Sequence, residues 1–278
     1  NIQMNITKAI IPVAGWGTRM LPITKSIEKC MLPIGNRPVI DFVVQDVIKA
    51  GIKDICFVVG EQSAQLQSYY RSNIPLNDYL RQVGKADMLE LIRPLQGVNI
   101  HFLTQSSTGS YGTSVQVGIA SEFIAEDESA IVIMGDQFFY RTDGGSNTAD
   151  LIESVSSRGL TAGLYGVQMP IDNIDSSIEV DADGNYVRIV EKPKPGEAPT
   201  DLQNASFYVF DKEIFELART LPANPARGEY EVTDAINAYV ASGKKLAVGT
   251  VSGQYMECGS VAGWLRANQV VGADLLKS

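Results

Sequence analysis

The chain has 278 residues, 23 Lys and Arg against 32 Asp and Glu, a formal net charge of −9, 45% apolar and 20% charged residues. This is the balance of a globular protein with ample length for a core, and it excludes a nucleic-acid-coating protein, whose surface would be basic. No stretch approaches the ~20 apolar residues of a membrane span and no signal peptide is visible. Neither a nucleic acid nor a membrane is therefore an expected partner. The three cysteines, Cys30, Cys56 and Cys258, lack metal-site spacing and suit a reducing cytoplasm. Residues 1–3 precede Met4, which reads as the natural start, so the expected unit is a single domain over residues 4–278.

Residues 9–14 form an apolar run that stops at Gly15-Trp16-Gly17-Thr18-Arg19, which predicts a buried strand ending in a loop. Glycine there permits positive φ and lets backbone N–H groups approach a ligand closely. Successive N–H groups in such a turn make an anion-binding concavity. Arg19, Lys25 and Lys29 follow in an otherwise acidic chain. Together these features point to a phosphate or pyrophosphate, while tight packing of a first strand-to-helix turn is the other use of such glycines. The loop is not GxxxxGK(S/T), and Met20 stands where GxGxxG needs its third glycine, so neither common phosphate fingerprint is present.

Strands and helices then alternate. Residues 38–50 have Val39, Phe42, Val43, Val47 and Ile48 spaced for one helix face, with Gly51 as the stop. Residues 54–60 predict a second buried strand, with Cys56 in the core. Residues 61–71 and, after the breaker Pro75, residues 76–92 predict helices, and residues 98–104 a third strand. A loop over 105–112 leads into a helix through Ala120, and residues 130–134 form a fourth strand ending at Gly135-Asp136. Such units predict an α/β fold: a Rossmann-like mixed, mainly parallel sheet flanked by helices. Gly15, Gln105 and Asp136 fall at strand carboxyl ends, where ligands of such sheets bind. Beyond them come a strand over 160–167 and a hairpin, 177–181 and 186–190, around Asp183-Gly184-Asn185. A strand over 205–210, helices over 211–219 and 229–241, a strand over 246–251 and a closing helix over 261–276 complete the chain.

The glycine loop resembles the opening motif of the sugar-1-phosphate nucleotidyltransferases, GxGTRxxPxTxxxPKxxLP, and most of all its uridylyltransferase branch. The matching residues are Gly15, Gly17, Thr18, Arg19, Met20, Leu21, Pro22, Thr24, Lys25, Lys29, Met31, Leu32 and Pro33. Further segments fit the likeness: an apolar-Gly-Asp end at Asp136, Glu191-Lys192-Pro193, Gly228-Glu229 with Thr233-Asp234, and Tyr255-Met256-Glu257-Cys258-Gly259. The resemblance implies a small sugar-side β subdomain and a reaction between UTP and glucose 1-phosphate giving UDP-glucose and pyrophosphate. It also implies a homodimer or homotetramer. By the same likeness Arg19, Lys25 and the backbone of Ala14, Gly15, Gly17 and Thr18 hold the triphosphate, with Lys29. Gln105, Ser110 and Gly112 meet the base; Ser177 and Glu191 meet the sugar. Lys192 aims the sugar phosphate and Asp136 holds Mg²⁺; Glu257 stands where the family has an Asp and is one methylene longer, so direct ligation, ligation through water and no ligation are all open for it.

Taken locally, Asp136 is equally a turn former, Glu191-Lys192 a solvated turn, and Thr233 or Asp234 a helix cap. His101, the only histidine, has no second ligand beside it in the sequence and reads as structural. The chain also departs from the family pattern near ligand-facing positions. Glu28 and Cys30 replace the Pro and Glu of Pro-Lys-Glu-Met-Leu-Pro, Gln137 follows Asp136 where an Asp is usual, and Ser176-Ser177 stands for Tyr-Gly. Gln137-Phe138-Phe139-Tyr140 resembles the thymidylyltransferase relatives instead. Three outcomes are open: an enzyme with UTP and glucose 1-phosphate, one with shifted base or sugar preference, or a binding homologue with little turnover.

Overall fold

The computed structural model of the chain describes residues 5–222 and 231–278. Strand β1 (Lys8–Pro12) runs into three short 3-10 turns, Thr18–Met20, Ile23–Lys25 and Lys29–Met31. Two-residue strands β2 (Pro33–Ile34) and β3 (Arg37–Pro38) lead into helix α1 (Val39–Lys49). On α1, Val39, Ile40, Val43, Val44 and Val47 recur on one face and are buried. Asp41 is buried with them, its carboxylate met by the Arg37 guanidinium at 2.6 Å and the Tyr70 hydroxyl at 3.0 Å. A partnered charge is one a core tolerates.

Strands β4 (Asp54–Gly60) and β5 (Asn99–Gln105) enclose α2 (Gln65–Tyr70), α3 (Ile74–Gln82) and α4 (Leu89–Ile92). Two expectations are corrected here. The helix expected over 61–71 starts only at Gln65. The helix expected over 76–92 is two: Pro75 sits inside the first turn of α3, where its missing N–H costs nothing. Asn73 caps that turn through the Leu76 N–H at 3.1 Å. Gly84 at φ 73° then ends the segment.

Next come α5 (Thr113–Ile119), β6 (Ser129–Ile133), β7 (Gln137–Tyr140), α6 (Asn147–Ser156) and β8 (Gly163–Gln168). The hairpin is β9 (Ser176–Val180) and β10 (Tyr186–Glu191), antiparallel as expected. It is followed by β11 (Leu202–Asp211), α7 (Lys212–Thr220), α8 (Val232–Ala241), β12 (Ala247–Thr250), β13 (Gln254–Glu257) and α9 (Val261–Leu275). Asp211 caps α7 and Ser260 caps α9 through their side-chain oxygens. The Gly228-Glu229 part of the family-like element lies outside the described residues. Thr233 and Asp234 are not the cap of α8; Glu231 holds that position and both lie in the first turn.

Among the described residues the main sheet has nine strands, in the order β10-β9-β11-β6-β1-β4-β5 with β8 on β11 and β12 on β8. β6, β1, β4 and β5 are mutually parallel. β11 runs antiparallel to β6, β8 and β9. The fold is therefore an α/β sheet of mixed direction flanked by helices, parallel through the half that carries the glycine loop. Side chains alternate between two cores: Ala9, Ile11, Ile55, Phe57, Ile131 and Ile133 on one face, Ile10, Cys56, Val58, Ala130 and Val132 on the other. That two-sided burial explains the unbroken apolar runs in the sequence, each fully buried Val, Ile or Phe contributing roughly 1.5–3 kcal/mol.

Three features of this sheet position the site. The chain moves from β1 to β4 and β5 on one side, then returns to β6 on the other, so the strand order reverses at β1 and opens a crevice beyond the ends of β1 and β6. The edge of β11 is shared: residues 207–211 pair with β6, while Gln203 pairs with β9. Between them is a bulge in which Ser206 takes φ 50°. Lastly, β7 and β13 form a separate two-stranded sheet, unforeseen in the sequence, that sets Gln137 opposite Glu257.

Candidate active site

The glycine loop leaves β1 with each glycine doing a different task. Gly17 sits in the left-handed region at φ 66°, where a Cβ would meet Thr24 Cγ2 at 3.1 Å and Lys29 Cβ at 3.2 Å. The Thr24 hydroxyl donates to the Gly17 carbonyl at 2.7 Å and closes the loop. At Gly15 the missing side chain leaves room for the Lys29 ammonium, which would lie 3.0 Å from a Cβ there. Lys29 Nζ is held 3.3 Å from Asp136 Oδ2, both groups about one-fifth exposed. The Ala14 N–H is already bonded, to Gln116 Oε1 at 3.0 Å. Thr18, Arg19 and Lys25 are exposed at the loop's outer rim.

Asp136 leaves the end of β6 just after Gly135, whose Cβ would strike Val13 Cγ1. Only glycine lets the strand turn so close to β1. The Asp136 carbonyl accepts from the Cys258 N–H at 2.9 Å, so β13 is drawn alongside. Glu257 has its two oxygens held by the Gly259 N–H at 2.7 Å and the Ser260 hydroxyl at 2.8 Å. Around Gly259 the charges converge: a Cβ there would lie 2.6 Å from the Arg19 guanidinium, 2.7 Å from Glu257 Oε1 and 3.1 Å from Asp136 Oδ2. Arg19 approaches Glu257 at 3.7 Å. Two hard carboxylate oxygens facing one small space suit a divalent ion that takes its remaining ligands from phosphate and water. Among the described residues no group of three or more His, Cys, Asp and Glu side chains could hold a metal unaided.

Gln137, beside Asp136, is buried. Its amide donates to the Ala205 carbonyl and, at 3.2 Å, to the Ser206 carbonyl, and accepts from the Tyr255 hydroxyl at 2.9 Å. An aspartate there could not donate to the bulge. Burial, with the negative charges of Asp136 and Glu257 beside it, pushes the Tyr255 phenol well up, so it stays a donor. The same causes push the Cys258 thiol up to about 12.

A cavity of about 320 Å³ opens beyond β1, β4 and β5, lined by Ala14, Gly15, Lys25, Lys29, Gln105 and Tyr111 among others. The Gln105 side chain is buried and donates to the Ser110 carbonyl at 3.0 Å. Gly112, at φ 121°, turns the chain into α5, and the Thr113 hydroxyl accepts from the Val232 N–H at 2.9 Å.

On the opposite side, Lys192 is exposed at the end of β10 with φ 44°, its N–H bonded to the Asp175 carbonyl at 2.6 Å. Glu191 sits beside it, and its negative charge contributes to raising the buried Tyr208 phenol after burial itself. Ser177 is fully buried, and its hydroxyl donates to the Thr200 carbonyl at 2.8 Å, pinning the loop after Lys192. Its hydroxyl is thereby committed to that loop.

The sheet therefore brings Gly15, Lys25, Lys29 and Gln105 to the cavity, with Gly17 shaping the loop behind them, and joins Asp136, Glu257 and Arg19 next to Lys29, while the β9–β10 hairpin lies beyond β11 and lines no part of the cavity. Sequence reading missed Gln116, Gln65 and the role of Gln137, whose partners lie far off in the chain and leave no local pattern. A doubly wound sheet with glycine loop, cations and paired carboxylates at its switch point defines a nucleotide-phosphate-handling α/β enzyme.

Comparison with known proteins agrees. The nucleotidyl transferase family pattern matches residues 8–272. A relative from Methanocaldococcus jannaschii is 34% identical over 277 residues, covering 97% of this chain and 94% of its own. The UTP–glucose-1-phosphate uridylyltransferase of Streptococcus pneumoniae serotype 4 is 34% identical over 242 residues, 84% of this chain and 79% of that one. Among solved structures, UDP-glucose pyrophosphorylase from Acinetobacter baumannii superposes with a TM-score of 0.87 at 28% identity, covering 97% of this chain and 94% of that one. Its UTP-bound form gives 0.85 at 28% identity over the same shares. The chain belongs to the nucleotidyl transferase family and is a sugar-1-phosphate nucleotidyltransferase. No helix among the described residues is long and apolar enough to cross a membrane.

Proposed function

We propose that this enzyme joins UTP and glucose 1-phosphate into UDP-glucose, releasing pyrophosphate. The observation that carries the reading is the meeting of Arg19, Lys29, Asp136 and Glu257 at the switch point, beside a cavity of nucleotide size. The likeness to uridylyltransferases over most of the chain supports the choice of substrates.

In the reaction, a phosphate oxygen of the sugar 1-phosphate attacks the α-phosphorus of the triphosphate. An O–P bond forms there as the bond to the β-phosphate bridging oxygen breaks, and that oxygen departs with pyrophosphate. Positioning and charge compensation are the protein's main contributions. Gly15, Gly17 and Thr18 offer loop backbone, and Arg19, Lys25 and Lys29 offer positive charge to the triphosphate. Lys29, held against Asp136 at 3.3 Å, turns to the phosphate oxygens when nucleotide enters. Gln105 lines the base end of the cavity, its amide fixing the loop that carries Ser110 and Gly112. Glu191 and Lys192 approach from the hairpin, Lys192 aiming the attacking phosphate as a compact charge. Asp136 and Glu257 would hold Mg²⁺, which when bound offsets negative charge on the phosphate oxygens.

The test is pyrophosphate release from a matrix of UTP and dTTP with several sugar 1-phosphates, with and without Mg²⁺. Highest kcat/KM with UTP and glucose 1-phosphate supports the reading. A preference for dTTP or another sugar overturns the substrate assignment, and no release from any pair overturns the assigned activity.

A further inference from the structure

Glu28 and Gln65 lock together across 37 residues of chain. Glu28 Oε2 accepts from the N–H groups of Ala64, Gln65 and Leu66 at 3.3, 2.7 and 3.1 Å, the otherwise unpaired donors at the start of α2. In return Gln65 Oε1 accepts from the Glu28 N–H at 2.8 Å, and Gln65 Nε2 donates to the Ser26 carbonyl at 3.0 Å. This is the reciprocal logic of a capping box, made here between two distant segments. Both segments line the nucleotide cavity: residues 24–29 on one wall, residues 60–65 on the other. The next residue, Lys29, directs its ammonium into the space left by Gly15 and onto Asp136. Proline, which the family motif carries at position 28, has neither the N–H nor the carboxylate, so the lock belongs to this chain's own sequence.

We propose that Glu28 and Gln65 are positioning residues that set affinity for the nucleotide's phosphates by fixing Lys25 and Lys29 on the cavity wall. The proposal rests on the triphosphate reading of this cavity. Without the lock, the segment carrying both lysines loses its tie to α2, and part of the binding energy is spent ordering it.

The test compares Glu28→Ala, Glu28→Gln, Gln65→Ala and the double alanine variant. It reads KM for UTP and for glucose 1-phosphate, UTP binding by calorimetry, amide exchange over residues 23–31 and the thermal midpoint. Loss of a charge-assisted set of bonds predicts that Glu28→Ala raises the UTP KM about tenfold, with the glucose 1-phosphate KM within about twofold. Glu28→Gln falls between, exchange over 23–31 accelerates, and the double variant is no worse than Glu28→Ala. An unchanged UTP KM, equal rises for both substrates, or additive effects in the double variant would overturn the proposal. Should the wild-type enzyme release no pyrophosphate, the assigned reaction fails separately. The lock is then judged by exchange and UTP calorimetry, where unchanged values in Glu28→Ala refute it.

Discussion

β1, β4 and β5 meet the cavity through exits from a parallel sheet, whereas the β9–β11 side carries a bulge and two non-glycine residues in the left-handed region, Ser206 and Lys192. On the first side the glycines take the unusual backbone angles, and the cations follow within fifteen residues of Gly15. On the second side Lys192 itself carries the unusual angle, held by the Asp175 carbonyl. Strained backbone persists only where surrounding bonds over-determine it. Here Gln137, Asn204 and Ser177 provide those bonds. On the proposed function, one half is a generic phosphate platform and the other is shaped residue by residue, which is where discrimination between sugars is adjusted.

The sharpest way to break this division is at its border. Asp136→Ala, read by steady-state turnover, is expected to lower kcat on the order of a thousandfold, as for loss of a central electrostatic group. Retained turnover would remove Asp136 from the chemistry. Lys192→Ala should cost on the order of a hundredfold in kcat/KM, falling mostly on the sugar 1-phosphate. Gly17→Ala tests the platform. Forcing a Cβ into the left-handed region costs about 1–2 kcal/mol, and the Thr24 and Lys29 contacts add to it, so a lower thermal midpoint and a higher UTP KM are expected together. The smallest effect concerns the thiols. Burial pushes Cys30 and Cys56 up to about 12, Glu28 adding to the effect at Cys30, and all three cysteines are buried. A raised thiol pKa means almost no thiolate below it, so alkylation at about pH 8 should be negligible in the folded enzyme and rapid once unfolded. Fast labelling of the folded enzyme would contradict the packing around Asp136, beside which Cys30 and Cys258 lie.

What could be seen in advance follows the same line. Strands β1, β4 and β6 were legible because burial on both faces writes long apolar runs, and the positions of Gly15 and Asp136 were legible because they lie at the ends of such runs. The β7–β13 pair was not, since its four-residue strands carry no period long enough to count, yet it is what brings Glu257 to Asp136. Ser177 was expected near a sugar from its place in a motif, and the structure spends its hydroxyl on Thr200. Glu28 reads in the sequence as a departure from a pattern, because its partner Gln65 lies 37 residues away. Local periodicity reports strands and helices; bonds between remote polar side chains leave no such signature.

The division of labour is tested most directly by measuring both Michaelis constants in Lys25→Ala and Lys192→Ala. Loss of a charged contact predicts a rise of about tenfold in the UTP constant alone for Lys25→Ala, and a similar rise in the sugar 1-phosphate constant alone for Lys192→Ala. Both variants acting on the same substrate, or each on the other's, would contradict the assignment of the parallel half to the nucleotide and the hairpin half to the sugar.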